Sequence, residues 1–208
     1  MSYDVYANQH DKVLSVQLWK ERRHRIIDVL ARTCFAMKDY HSAILAYEQL
    51  ETVNADPVVQ RNLGKMCLHA GDGPAAMKWF QKSCTAGGAL NSPDQSLLFS
   101  GFIEIFQGNY AAAVEKFTTL AERNKSSYVA ANNAAVALLY IGRITEATAI
   151  FQKLIATSPE SVRIPEVCAN LSSLYELQYS KSTAKEVELL MVVRNNYLET
   201  FDSSYIKL

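Results

Sequence analysis

The stretch Asn109-Tyr110-Ala111-Ala112-Ala113-Val114-Glu115-Lys116-Phe117 places an alanine at 113 and an aromatic one helical turn later at 117. The pairing recurs as Ala43 with Tyr47, Ala76 with Phe80 and Ala147 with Phe151. Successive alanines stand 33, 37 and 34 residues apart. Twelve residues before each stands another small residue, namely Ala31, Gly64, Gly101 and Ala135. Three columns thus agree in four copies with no gap inside any copy, which marks an internal repeat.

Those columns carry the chemistry of two antiparallel helices packed closely. The first small residue lets helix A approach helix B, and the alanine lets helix B approach its partner and the next repeat. The aromatic fills the space between hairpins. Reversals fall at Lys38-Asp39, Gly71-Asp72, Gly108-Asn109 and Gly142-Arg143, three of the four using glycine. A helix–turn–helix unit at a period of ~34 matches the tetratricopeptide pattern. The expected fold is all-α: a right-handed tetratricopeptide-repeat superhelix of about ten helices, with four recognisable hairpins and a C-terminal capping hairpin. The consensus Trp column instead holds Ile27, Gln60, Leu97 and Ala131, and the Tyr column holds Cys34, Cys67, Glu104 and Leu138.

Working outward, Asp56-Pro57, Gly73-Pro74 and Ser92-Pro93 each read as a capping residue before a first-turn proline. The repeats are expected at about 24–56, 57–90, 94–127 and 128–161 within a domain spanning 12–208, after a flexible segment 1–11. A capping hairpin follows at 162–200, its first helix at about 163–178 and its second opening near Thr183 and Glu186. On that last helix Val187, Leu190, Met191, Tyr197 and Leu198 form the expected dry face, opposite Lys185, Glu188, Asn195 and Glu199.

Composition narrows the function classes. Lys and Arg number 21 against 21 Asp and Glu, and 49% of residues are hydrophobic. A balanced charge argues against a phosphate-binding nucleic-acid partner, and the apolar content suffices for a sizeable core. The longest unbroken apolar run, from Ala134 to Ile141, is eight residues, against the ~20 that span a bilayer. The opening MSYDVYANQHDK is polar, so a signal peptide is not expected there. Four dispersed cysteines fit a reducing compartment rather than a disulfide framework.

No cofactor, metal or catalytic motif is expected. Cys67 and His69 are the nearest approach to a metal pair, and two ligands are too few for a closed site. Candidate contacts for a protein partner come from helix A of each hairpin, which lines the inner side of such an array. They are Arg61, Asn62 and Lys65 in the second repeat, and Asn132 and Asn133 in the fourth. Lys and Asn on one helix invite comparison with clamps for a peptide terminal carboxylate, yet one repeat beyond Asn62 stands Phe99. That clamp is incomplete. Hydrogen bonding within the stack is an equal reading for Asn132 and Asn133. The third helix A carries Leu97, Leu98, Phe99, Phe102, Ile103, Ile105 and Phe106 around nearly its whole circumference. Leu98 and Phe102 are therefore covered either by a partner or by the array itself. The run Lys20 to Arg25 reads as a solvated helix face, or as a contact for an acidic partner or an anionic membrane.

The segments LARTCFAMKDYHSAILAYEQL (30–50), GNYAAAVEKFTTL (108–120), NNAAVALLYIGR (132–143), NLSSLYELQYSKS (170–182) and FDSSYIKL (201–208) resemble the C-terminal repeat region of the subunit 12 family of the trafficking protein particle complex. The resemblance runs from about residue 18 to the end, and is most specific at 132–143 and in the NLSSLYEL segment. It implies a non-catalytic scaffold subunit of a TRAPPIII-type tethering complex, an exchange-factor assembly for a Rab1-type GTPase in ER-to-Golgi traffic and autophagy. The implied partners are subunits such as 8, 11 and 13. The implied location is cytoplasmic, peripheral to ER–Golgi intermediate and Golgi membranes. A free-standing peptide-binding adaptor or co-chaperone is the alternative.

Overall fold

The computed structural model of the chain describes residues 3–53, 55–86, 93–196 and 203–206. Ten α-helices and no strand are present among the described residues. They are α1 (Tyr3–Ala36), α2 (Tyr40–Val53), α3 (Pro57–His69), α4 (Gly73–Ala86), α5 (Pro93–Phe106), α6 (Tyr110–Arg123), α7 (Tyr128–Tyr140), α8 (Ile144–Thr157), α9 (Pro165–Gln178) and α10 (Thr183–Asn196). A 3-10 turn, Pro159–Arg163, separates α8 from α9, and another lies at Ser203–Tyr205. The helices fall into two compact units, 1–91 and 92–208. The first helix begins at Tyr3, so helical backbone covers residues for which the sequence suggests a flexible segment.

Each repeat closes on the same turn. Lys38, Gly71, Gly108 and Gly142 all adopt positive φ, at 63°, 84°, 78° and 78°. The amide of the following residue reaches back five positions in every copy: Asp39 to Cys34, Asp72 to Cys67, Asn109 to Glu104 and Arg143 to Leu138. This is the left-handed C-terminal cap in which glycine has no Cβ to strain. Lys38 takes the same conformation with a side chain attached.

The small columns do what their spacing predicts. Ala31, Ala43, Ala76, Ala113 and Ala147 are wholly buried, as are Phe117 and Phe151. A Cβ on Gly64 would sit 2.4 Å from the Phe80 ring, and one on Gly101 would sit 2.6 Å from the Phe117 ring. In these two repeats helix A is therefore bare where the aromatic of helix B lies across it. Asp56 caps α3 as expected, its carboxylate accepting from the Val58 amide at 2.8 Å ahead of Pro57. At α4 the capping side chain is Asp72, which accepts from the Ala75 amide, so Gly73 is already inside the helix. Ser92 lies outside the described residues.

In the second unit the core runs from Ala131 through Phe151 and Leu171 to Leu189, Val193 and Ile206. The stripe that α10 buries is Glu186, Leu189 and Val193. Val187 and Met191, expected on the dry face, are 39% and 61% exposed. The helix is thus rotated relative to the face that its apolar residues alone suggest. Tyr197, Leu198 and Glu199 lie outside the described residues.

Candidate protein-binding site

Arg61, Asn62 and Lys65 stand on α3 in the first unit, where Asn62 and Lys65 line a groove completed by α1 and α2 and Arg61 lies outside that lining. Arg32, Phe35, Tyr47, Asn62, Lys65 and Met66 line it. The floor is a hydrogen-bonded chain. Tyr47 Oη donates to Asp28 Oδ1 at 2.7 Å, and Asn62 Nδ2 donates to Tyr47 Oη at 3.3 Å. Arg32 closes the chain with an ion pair to Asp28 at 2.9 Å. Burial and the hydrogen bond to Asp28 hold the Tyr47 phenol above its ordinary pKa, so it stays a donor. Asp28 is thereby engaged on both sides. Arg61 and Lys65 form no ion pair among the described residues. Burial, and then the charge of Arg61 four residues back, lowers the pKa of Lys65.

Sequence reading named Arg61, Asn62 and Lys65 but not Asp28, Arg32 or Tyr47 as their companions. The signal was available, since the first alanine spacing of 33 carries Arg61 back to Asp28 and Lys65 back to Arg32. A second polar cluster was also missed. Glu51, only 9% exposed, accepts from the Gln60 amide at 2.7 Å and from Lys82 Nζ at 2.7 Å. It ties α2 to α3 and α4, and it explains how Gln60 occupies a wholly buried position in the Trp column.

The candidates of the second unit are turned toward their own chain. Leu98 and Phe102 are half-buried against the cluster of Ala113, Phe117 and Ala134. The Phe102 ring lies 5.7 Å from that of Phe117. Asn132 Oδ1 accepts from Asn170 Nδ2 at 2.7 Å, and Asn133 Nδ2 donates to the Val129 carbonyl. Of the two readings open for this asparagine pair, the structure shows the bonds within the stack. These four residues belong to the second unit, and Arg61, Asn62 and Lys65 to the first.

Two remaining features are placed simply. The run Lys20 to Arg25 is exposed apart from a half-buried His24, with the Arg22 guanidinium 5.2 Å from the Trp19 ring. His69 belongs to an aromatic group with Phe35 and Tyr40, at 5.0 and 5.7 Å between centroids. No group of three His, Cys, Asp or Glu that could hold a metal occurs among the described residues.

The sequence model for the tetratricopeptide repeat matches residues 29–90 and 104–162, more than half of the chain. The chain belongs to the tetratricopeptide repeat family. It is similar to trafficking protein particle complex subunit 12 of Homo sapiens and of Mus musculus, 30% identical over 207 residues in each case. The match takes in 97% of the chain but 28% of the human and 26% of the mouse protein. The chain thus spans about a quarter of the length of these relatives. Among solved structures, a thermophilic tetratricopeptide protein of Thermus thermophilus aligns over 83% of this chain and 89% of its own, with TM-score 0.58 and 15% identity. A tetratricopeptide protein of Parabacteroides merdae aligns over 88% and 67%, with TM-score 0.53 and 16% identity. At those identities the likeness is one of fold.

Proposed function

We propose that this chain is a non-catalytic scaffold module of a TRAPPIII-type vesicle tethering complex, which promotes nucleotide exchange on a Rab1-type GTPase in ER-to-Golgi traffic and autophagy. The observation that carries the reading is the 30% identity to subunit 12 of the trafficking protein particle complex over 97% of the chain. Geometry supports it. Stacked hairpins present rows of side chains suited to holding other proteins. No helix among the described residues is long and apolar enough to cross a membrane. In this reading membrane contact comes through the complex, at ER–Golgi intermediate and Golgi membranes.

The partners in this reading are other large subunits of the complex, such as 8, 11 and 13. The test mixes the purified chain with each subunit, follows co-elution on size exclusion, and assays nucleotide exchange in parallel. Co-elution with at least one subunit, and no exchange by the chain alone, is the expected result. Failure to co-elute with any of them, together with capture of a chaperone C-terminal peptide, replaces this reading with a free-standing adaptor or co-chaperone.

A further inference from the structure

We infer that the chain pairs with a second copy of itself through one face of α1, the line Trp19, Ile26, Leu30 and Met37, with the two α1 helices antiparallel about a twofold axis near residue 28. The inference goes beyond the scaffold reading and does not depend on it.

The repeats show that this line is one the fold covers. In the second repeat α3 carries Val59, Leu63 and Met66 at i, i+4 and i+7, each no more than 5% exposed and clustered with Tyr47 and Leu50 of α2. In the fourth, the repeat spacing carries the three to Ala130, Ala134 and Ala137 of α7, buried with Phe117 and Leu120 of α6. On α9, Val167, Leu171 and Leu174 keep the same spacing in one cluster with Phe151 and Leu154 of α8. Each line thus packs with a neighbouring helix that presents an aromatic and, three residues on, a leucine. Carried back 33 residues, the line on α1 is Ile26, Leu30 and Thr33. There no helix covers it among the described residues: Ile26 is 68% and Leu30 53% exposed. The line runs on to Met37, 75% exposed, whose amide continues the helical bonding to the Thr33 carbonyl at 3.0 Å. It runs back to Trp19, 64% exposed although the Arg22 guanidinium lies over its ring. At 3.6 residues per turn these four large side chains fall within ~40° of arc and form a row ~27 Å long. Such a contiguous apolar row marks an interaction surface.

Its symmetry says what covers it. Trp19 and Met37 stand nine residues on either side of position 28, and Ile26 and Leu30 stand two. An antiparallel second α1 therefore lays Ile26 against Leu30 of the second copy and Trp19 against its Met37, a thioether–ring contact. The polar break in the row matches as well. Arg23 falls opposite Thr33 of the second copy, a hydroxyl that donates to its own Val29 carbonyl and keeps lone pairs to accept from a guanidinium. The basic run from Lys20 to Arg25 then lies along 31–36 of the second copy, so the two runs do not face each other. A parallel pairing would set them side by side, where like charges repel.

Four large side chains from each copy make a small interface, so the dimer should be weak, with a Kd of about 10–100 μM. Sedimentation equilibrium of the purified chain across that range should show it, with little loss at high salt because the contact is apolar. Ile26→Glu/Leu30→Glu sets four carboxylates at the axis and should raise the Kd at least ~10-fold, with an unchanged far-UV circular dichroism spectrum. Val187→Glu/Met191→Glu, on the exposed side of α10, should leave the Kd as it is. The register is read by cross-linking. Chains carrying Ile26→Cys and chains carrying Leu30→Cys, both in a Cys34→Ser/Cys84→Ser background, are mixed and oxidised. Disulfide-linked heterodimers should form well ahead of either homodimer. Should the glutamate pair unfold α1, the cross-linking alone decides. A monomer throughout the range, a dimer indifferent to a folded glutamate pair, or homodimers formed as fast as heterodimers would each overturn the inference. A monomeric chain whose co-elution with a tethering subunit is lost on the glutamate substitutions would assign the row to that subunit instead. Failure of every subunit to co-elute bears on the scaffold reading alone, since the dimer is measured on the chain by itself.

Discussion

Replacing Gly101 by alanine tests the packing rule that defines the repeat. The new Cβ would lie 2.6, 2.8 and 3.1 Å from three ring carbons of Phe117, where carbon contacts favour ~3.5–4.0 Å. Something must therefore retreat by about 1 Å. The ring has little room to do so: Phe117 is wholly buried, edged by Phe102 and packed with Leu120 and Ala134. Overpacking of this kind costs ~1–3 kcal/mol. Against it stands the helix preference of alanine over glycine, ~0.8–1.0 kcal/mol. The net expectation is a destabilisation of about 1 kcal/mol. The same substitution in a Phe117→Leu background removes the clash and keeps the propensity gain, so it should stabilise by about 1 kcal/mol. Urea denaturation followed by far-UV circular dichroism gives the four midpoints of this double-mutant cycle. The sign change is the decisive feature. Ala31 and Ala135 occupy the same column in the first and fourth repeats while Tyr47 and Phe151 remain buried, so a hairpin can be built around a Cβ. Should Gly101→Ala stabilise both backgrounds equally, the third repeat relaxes freely and the ring does not dictate the glycine.

Lys38→Gly should stabilise the chain by about 0.5–1 kcal/mol, because it relieves a left-handed residue that the other three repeats make glycine; a lower urea midpoint would contradict this. Glu51→Ala should destabilise the first unit by ~1–3 kcal/mol, since the buried Gln60 amide then loses its acceptor. An unchanged denaturation midpoint would show that water replaces the carboxylate. Burial pushes the Cys67 and Cys168 thiols up to about 11, so at pH 8 both remain protonated and poorly reactive. Alkylation of the native protein followed by mass spectrometry should label Cys34 and Cys84 well ahead of them, and equal rates would refute the burial. Deleting α10 onward uncovers Leu174 and Tyr175, now 2% and 6% exposed, and should cause aggregation detectable by light scattering.

What could be read from sequence follows from what packing fixes. A small residue, an alanine twelve positions on and an aromatic four beyond it recur because the helices of each hairpin meet at one distance, and any larger group meets a ring. The cap of α3 was legible for the same reason, as Asp56 and Pro57 satisfy local backbone demands. The orientation of α10 was not, because one of its three buried positions is Glu186, and a reading that follows apolar residues assigns a carboxylate to the wet side. The helical path of α1 ahead of Lys20 carries no apolar stripe over residues 11–19, where Val13, Leu14, Val16, Leu18 and Trp19 are all exposed. No face was there to read.

The candidate site shows where a repeat stops constraining its residues. Carried by the alanine spacings, one inner position reads Asp28, Arg61, Leu98 and Asn132, and its neighbour reads Arg32, Lys65, Phe102 and Val136. The fold asks for no common chemistry there, and the copies have diverged. In the second unit these positions serve the fold: Leu98 and Phe102 lean on the core beneath, and Asn132 accepts from Asn170 of the next repeat. In the first unit Asp28 and Arg32 satisfy each other, while Arg61 and Lys65 are left as adjacent charges. Sequence alone weighs all of these residues equally, since exposure and internal partnering are properties of the packed array. A polar position whose hydrogen bonds are met inside its own stack has little left to offer a ligand. Two like charges held four residues apart, with no ion-pair partner among the described residues, weaken the helix that bears them, so at Arg61 and Lys65 the repeat tolerates a residue pair that its own packing does not call for.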